Sequence, residues 1–347
     1  MSGFKGRLRL LEFNVENLFL YLDHHRGEDL ARLTESEWQA LTSSTTSNKP
    51  IKQIRRLAAA ISDINPDIMI FCEVGGRESL ANFNRYFLKD LYQPHLLEGN
   101  SDRGIDLGYL VRKTLPFKYD LISHRHRPID FLYPHEQLTK ETGYDHLRAG
   151  RIKSHRFSRD VLELRVFEED EVTPVMIILQ VHLKSQLDPL RIDPQGRDRR
   201  RAEAEKLVKI QQEISQEFNG KVPVLLAGDF NGGAWRQQTD AEFESIYRET
   251  DLEDCLQIAG VPEDERFTHM QISSRRVAQS KQLDYIFVPK SLASRVNRNE
   301  TWVYRYKDEL GMTLIIPRNI HEKRELPSDH YPVILTLNPY SENSQTE

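Results

Sequence analysis

Short apolar runs recur along the chain, each bounded by Gly, Pro, Asn, Asp or Ser. Runs rich in Val, Ile, Leu and Phe predict strands at Leu8–Phe13, Ile68–Cys72, Leu107–Val111, Val161–Phe167, Val175–Val181, Val224–Ala227, Tyr285–Val288 and Val333–Leu337. Their nearly continuous apolar character predicts sheets covered on both faces. Three longer segments have helical spacing: Ile51–Asp63, Glu78–Leu91 and Arg199–Phe218. In the first, Ile54, Leu57, Ala58 and Ile61 share a face, and Asn65-Pro66 stops the helix. In the third, Glu203 with Lys206 and Glu205 with Lys209 read as charge pairs at helical spacing.

Strands mixed with helices, without strict alternation, predict an α/β (α+β) chain of packed sheets flanked by helices. No repeat and no Gly/Ser-rich or Pro-rich linker divides it, so residues 1–340 are expected to form one domain. The polar stretch 23–50 reads as an insertion with a short helix near Ala31–Leu41, and 341–347 as a flexible tail.

Composition narrows the function classes. Of 347 residues, 38% are hydrophobic and 29% charged, which excludes a mostly disordered or membrane-embedded chain. The formal charge is −5, so any polyanion must be held by a local basic patch or a bound cation. Two cysteines, Cys72 and Cys255, make no disulfide framework. No run is long enough to span a bilayer, and Glu12, Asn14 and Glu16 interrupt the N-terminal apolar run. That run lacks the layout of a signal peptide, so a cytoplasmic protein with no stable membrane association is expected.

Candidate chemistry lies in five islands at strand ends: Phe13–Asn17, Glu73, Val181–Ser185, Gly228–Gly232 and Pro327–Pro332. Each has a plain reading. Asp229, Asn231 and the glycines after them make turns, and Ser328-Asp329 suits local turn chemistry. Glu73 ends a strand in solvent equally well, and His182 between Val181 and Leu183 suits a packed sheet. Together they assemble three carboxylates (Glu73, Asp229, Asp329), two amides (Asn14, Asn231) and two imidazoles (His182, His330). Magnesium takes oxygen ligands and keeps waters and phosphate oxygens for the rest. Neither a zinc-type Cys/His cluster nor a Walker-type glycine loop is present. The set suits a phosphate-ester hydrolase using Mg2+, with Mn2+ as a substitute.

Gly228-Asp229-Phe230-Asn231 and Ser328-Asp329-His330-Tyr331-Pro332-Val333 carry a resemblance to the endonuclease/exonuclease/phosphatase (DNase I-like) superfamily. Gln282-Leu283-Asp284-Tyr285-Ile286 and Phe157-Ser158-Arg159-Asp160 also resemble family motifs, and the match runs from Leu8 to Leu337. The resemblance implies a four-layer αββα sandwich, with two mainly antiparallel sheets face to face and helices outside. It implies that Glu73 binds the metal with Asn14 beside it, and that Asp329 contributes to metal or water handling. Asp229 would orient or deprotonate the attacking water, and Asn231 would hold phosphate or water. His330, oriented by Asp284, would contact the scissile phosphate, with His182 as the second imidazole. Which histidine is the acid, and whether one ion or two bind, stays open.

Arg159 resembles an arginine that meets substrate phosphate. Its neighbours Arg148, Arg151, Lys153 and Arg156 read either as a phosphate track or as a solvated basic hairpin. Arg197 and Arg199–Arg201 would extend such a track, and Lys184 would share the face of His182. Arg103 and Asp106 lie in a segment resembling a strand-entrance motif of bacterial members; Asp106 reads as a buttress for His182 or as part of a surface turn. The insertion departs from the family pattern, as a rim element or an inert excursion. The favoured reading is a nuclease, monomeric, with DNA or RNA as substrate. The alternatives are a phospholipid or inositol phosphate phosphoesterase, against which the lack of an evident membrane-docking hairpin counts, and a non-catalytic binding module.

Overall fold

Val-, Ile- and Leu-rich central strands buried on both faces, with more exposed edge strands, build two six-stranded sheets. The computed structural model describes residues 6–137, 153–272 and 278–340. The first sheet runs β13 (Trp302–Val303), β14 (Val333–Leu337), β1 (Leu8–Leu18), β2 (Ile68–Val74), β4 (Asp106–Arg112) and β3 (Tyr92–Leu96). The second runs β5 (Phe117–Ser123), β6 (Val161–Glu168), β7 (Met176–His182), β8 (Val224–Asp229), β12 (Asp284–Pro289) and β9 (Leu252–Asp254). Each contains one parallel pair, β1 with β2 and β7 with β8; the other pairs are antiparallel. A ribbon of β10 (His269–Ile272) and β11 (Ala278–Lys281) stands apart. Residues 341–347, the expected tail, lie outside the described residues, as do Arg148 and Arg151.

The sheets pack face to face, and polar contacts join them as well as apolar ones. Tyr109 Oη lies 2.9 Å from Leu162 O and 3.1 Å from Ile178 O, and Gln180 Nε2 donates to Phe71 O at 2.6 Å. Within the second sheet β7 and β8 approach so closely at Gly228 that a Cβ there would meet Val181 O at 1.9 Å. Only glycine fits immediately before Asp229.

The helices form the outer layers. Ile51–Ile64 buries Ile54, Leu57 and Ile61 and ends at left-handed Asn65, as its apolar stripe predicts. Gly76–Phe87 stops earlier than the sequence suggests, and Tyr92 begins an edge strand. Arg197–Glu217 buries Ala204, Leu207 and Ile214 on the second sheet. Its expected internal pairing does not hold: Lys206 Nζ meets Asp130 at 2.8 Å, and Glu203 is buried. The insertion packs against the domain. Thr34 and Glu37 form a capping box on the short helix Glu35–Gln39, and Trp38 of that helix is fully buried. Among the described residues no helix is long and apolar enough to cross a membrane.

Candidate active site

Three side chains stand in a row because three adjacent strands are in register. His182 on β7 faces Asp229 on β8, and Asp229 faces Asp284 on β12. Register partners point to the same side of a sheet. Asp284 Oδ2 accepts from His330 Nδ1 at 2.7 Å. Asp229 Oδ2 lies 3.6 Å from His182 Nε2 and 4.0 Å from His330 Nε2, so one carboxylate sits between two imidazoles. Asn14 Nδ2 and the Asn231 N–H also donate to Asp229, at 3.0 and 2.8 Å.

Surrounding hydroxyls fix this row. Thr268 Oγ1 accepts from the N–H groups of Leu283 and Asp284, which holds the start of β12. Ser328 Oγ donates to Asn14 O at 2.7 Å and accepts from the His330 N–H at 3.1 Å. The Ser-Asp-His segment is thereby tied to the end of β1.

Burial sets the charge states. It lifts the Asp229 carboxyl to about 7, helped by the nearby Asp284 and opposed by His330 and the Asn14 bond. Burial opposes a charge on His330, but Asp284, Asp329 and Asp229 outweigh it and hold the imidazole well above its ordinary value. His182 goes the other way: burial, then the positive field of Arg159, His330 and Arg103, holds it well below. The two histidines therefore differ, one cationic and one neutral.

Glu73 is placed by irregular backbone. β1 and β2 lose register between Asn14 and Leu18, and β2 and β4 between Phe71 and Val74. Glu16, Asn17 and Glu73 have φ of 49°, 53° and 66°. Glu73 Oε2 accepts from the Asn17 N–H at 3.1 Å, and Oε1 stays 4.0 Å from His182 Nε2. Asp329 lies further along, 3.2 Å from Lys323 Nζ and 3.5 Å from His269 Nε2. Burial works against its ionisation, but His269, His330 and Lys323 keep the carboxyl well below the usual range. Among the described residues, close groupings of metal-ligating atoms join His269, Asp329 and His330, and Asp229, Asp284 and His330; Glu73 belongs to neither. The oxygens of Asn14 and Glu73 still fit a hard divalent cation: among the described residues the Asn14 Oδ1 accepts only the Glu16 N–H at 3.0 Å, and Glu73 Oε1 meets no donor at bonding distance.

A groove of about 1070 Å³ adjoins this centre, lined by Arg103, Lys153, Arg156, Arg159, Lys184 and Arg199 among others. Arg103 Nη2 donates to Asn17 Oδ1 at 2.7 Å, and the buried Arg159 Nε has no partner among the described residues. Lys184 Nζ donates to the carbonyls of Ser185 and Leu187 at 3.1 and 2.6 Å. Glu203 accepts from the N–H groups of Ser158 and Lys184, both at 2.7 Å, and so holds together two segments that carry the groove's cations. Arg200 does not extend the track; it is buried, 2.6 Å from Glu242. Asp106 does not buttress His182 either. Its Oδ1 accepts from the Gly99 N–H at 2.8 Å, and the His182 Nδ1 is buried without a partner.

Sequence reasoning missed several neighbours. Glu12 is fully buried with both oxygens unpartnered, and burial with the charges of Asp284 and Asp229 holds its carboxyl well above normal. Its position two residues before Asn14, on the same strand face, was the available signal. His269, Lys323 and Lys49 lie in stretches whose pattern gave no sign of the site.

Comparison with known proteins agrees with this fold. The model of the Endonuclease/Exonuclease/phosphatase family matches residues 11–330. No curated protein matches the chain. Among solved structures, the human Nocturnin catalytic domain with bound sulfate anion superposes with a TM-score of 0.56 at 15% identity, covering 95% of this chain and 93% of that one. A family protein from Bacteroides thetaiotaomicron gives 0.55 at 16%, covering 98% of each chain. TDP2 from D. rerio, complexed with single strand DNA product, gives 0.52 at 16%, covering 96% and 99%. At these identities the likeness is one of fold. Members of the family are generally hydrolytic phosphoesterases and typically use divalent metal ions. A match over nearly the whole chain and a shared sandwich architecture establish that this chain belongs to the endonuclease/exonuclease/phosphatase family.

Proposed function

We propose that the chain is a divalent-metal-dependent phosphodiesterase that cleaves DNA or RNA without sequence preference. The observation that carries this reading is Asp229, set between a neutral and a cationic imidazole beside a groove lined with basic side chains. Asp229 accepts the proton of the attacking water, for which a carboxyl lifted to about 7 is well suited. His330, kept cationic by Asp284, offers charge to the phosphoryl oxygens that grow negative in the transition state. His182, neutral, offers a hydrogen bond, and Asn231 orients water or phosphate. Arg103, Arg159 and Lys184 hold backbone phosphates, which positions the strand without reading its sequence. Asn14 and Glu73 would hold the metal ion, Mg2+ or Mn2+, with Asp329 contributing. When bound, such an ion polarises the phosphoryl group and steadies the leaving oxygen. The nucleic acid or sulfate in structures of the same fold supports this reading by analogy only.

One observation favours a second reading, hydrolysis of a phospholipid headgroup. The sequence shows no evident docking hairpin, yet Leu310, Met312, Ile315 and Ile320 are exposed just before the Ser328–His330 segment. Incubation of supercoiled plasmid with magnesium or manganese separates the two. Nicking that vanishes with EDTA and in Asp229→Asn supports a nuclease. Intact plasmid together with metal-dependent turnover of phospholipid vesicles would move the assignment to lipid.

A further inference from the structure

Lys49 closes the insertion and enters the site from the metal side. Its backbone is fixed at both polar atoms: the N–H donates to Phe19 O at 2.8 Å, and the carbonyl accepts from Trp38 Nε1 at 2.9 Å. Asn48 makes two more bonds, to the backbone N–H and carbonyl of Tyr21, at 2.7 and 3.0 Å. The Lys49 side chain is only 3% exposed. Its Nζ donates to Glu16 O at 2.8 Å and lies 3.7 Å from Glu16 Oε2. That same Glu16 oxygen accepts from the Asp329 N–H at 3.1 Å. Burial pushes the Lys49 ammonium below its ordinary value, and the negative field of Glu16, Asp329 and Glu73 opposes that shift.

An ammonium is costly to bury unless opposite charge and hydrogen-bond acceptors meet it. Here the metal end of the site meets it. Glu16, Glu73 and Asp329 would otherwise offer carboxylate oxygen enough for more than one hard cation. We propose that Lys49 is a fixed cation that takes the place of a second divalent ion, so that the site binds a single metal. Lys49 is then a positioning residue: through Glu16 it holds Asp329, and it leaves Asn14 and Glu73 to the ion. This rests on the divalent-metal half of the function proposed above and not on the substrate.

The test counts ions. Metal-free protein is titrated with Mn2+ and followed by electron paramagnetic resonance and calorimetry. Ions of this site are counted, at the Mn2+ concentration that just saturates the wild-type site, as those lost when Glu73→Gln and Asp329→Asn are combined. Wild type is expected to lose one, Lys49→Arg one and Lys49→Met two. A wild-type count of two or none overturns the proposal, as does a folded Lys49→Met that still counts one. Should Lys49→Met fail to fold, Lys49→Gln replaces it, and the wild-type count remains decisive by itself. The count is independent of turnover: a chain with one Mn2+ that cleaves no phosphodiester removes the catalytic reading and leaves this one standing.

Discussion

The two sheets place their halves of the site by opposite means. In the second sheet, His182, Asp229 and Asp284 are register partners on neighbouring strands, and regular backbone hydrogen bonds fix their spacing. In the first, Asn14 and Glu73 lie where the strands lose register, and Glu16, Asn17 and Glu73 all take positive φ. Such backbone costs on the order of 1–3 kcal/mol per residue and persists only where surrounding bonds enforce it. Proton transfer needs set distances between side chains, and a ladder supplies them. An ion needs oxygens turned to one point, and Asn14 and Glu73 offer theirs from neighbouring strands where bulges re-aim the side chains.

Substitutions on either side sharpen this contrast. The largest effect is expected in the regular half: Asp229→Asn should lower turnover by about 10³-fold with melting temperature nearly unchanged. Wild-type turnover in the purified variant would remove Asp229 from the chemistry. In the irregular half, Glu73→Gln should raise the metal concentration for half-maximal activity by at least about 10-fold, and added metal should restore turnover. A loss that metal cannot restore would place Glu73 with the proton-transferring residues instead. Outside both halves, Arg159→Ala should weaken substrate binding and reduce the slope of log affinity against log salt by about 1. An unchanged slope would mean that this guanidinium meets no phosphate.

The smallest effect concerns stability alone. Burial lifts the Asp160 carboxyl from 3.8 to about 7, with Ser123 Oγ donating to it at 2.5 Å. A folded-state value above the unfolded one means that the contribution is fully present below about pH 4 and lost as pH rises through 7. Asp160→Asn should flatten that decline and raise the melting temperature by several degrees at alkaline pH. Parallel melting curves against pH for the two proteins would refute it.

Most of the regular half was legible in the sequence. Gly228–Asn231 follows a strongly apolar run, and Ser328–His330 precedes another, so strand ends and chemistry coincide. The eight core strands were legible for the same reason. Edge strands were not: β5 alternates half-exposed and exposed positions, and β3 follows a helix with little punctuation. What escaped at the site depends on distant contacts. Lys49 lies in a polar stretch and becomes part of the site through contacts with Phe19 and the buried Trp38. Glu203 reads in the sequence as a charge partner of Lys206 at helical spacing, whereas its side chain serves two backbone donors from other segments. Local pattern carries no information about such partners.

The register row has a consequence for how such a chain can change over time. One residue added within β7, β8 or β12 would send every side chain beyond it to the opposite face, and His182, Asp229 or Asp284 would leave the row. The segment between Phe19 and Lys49 is under no such rule, because its ends are stitched together by a backbone hydrogen bond and its length falls outside the ladder. Lengthening or shortening that segment therefore leaves the register, and with it the spacing of His182, Asp229 and Asp284, unchanged.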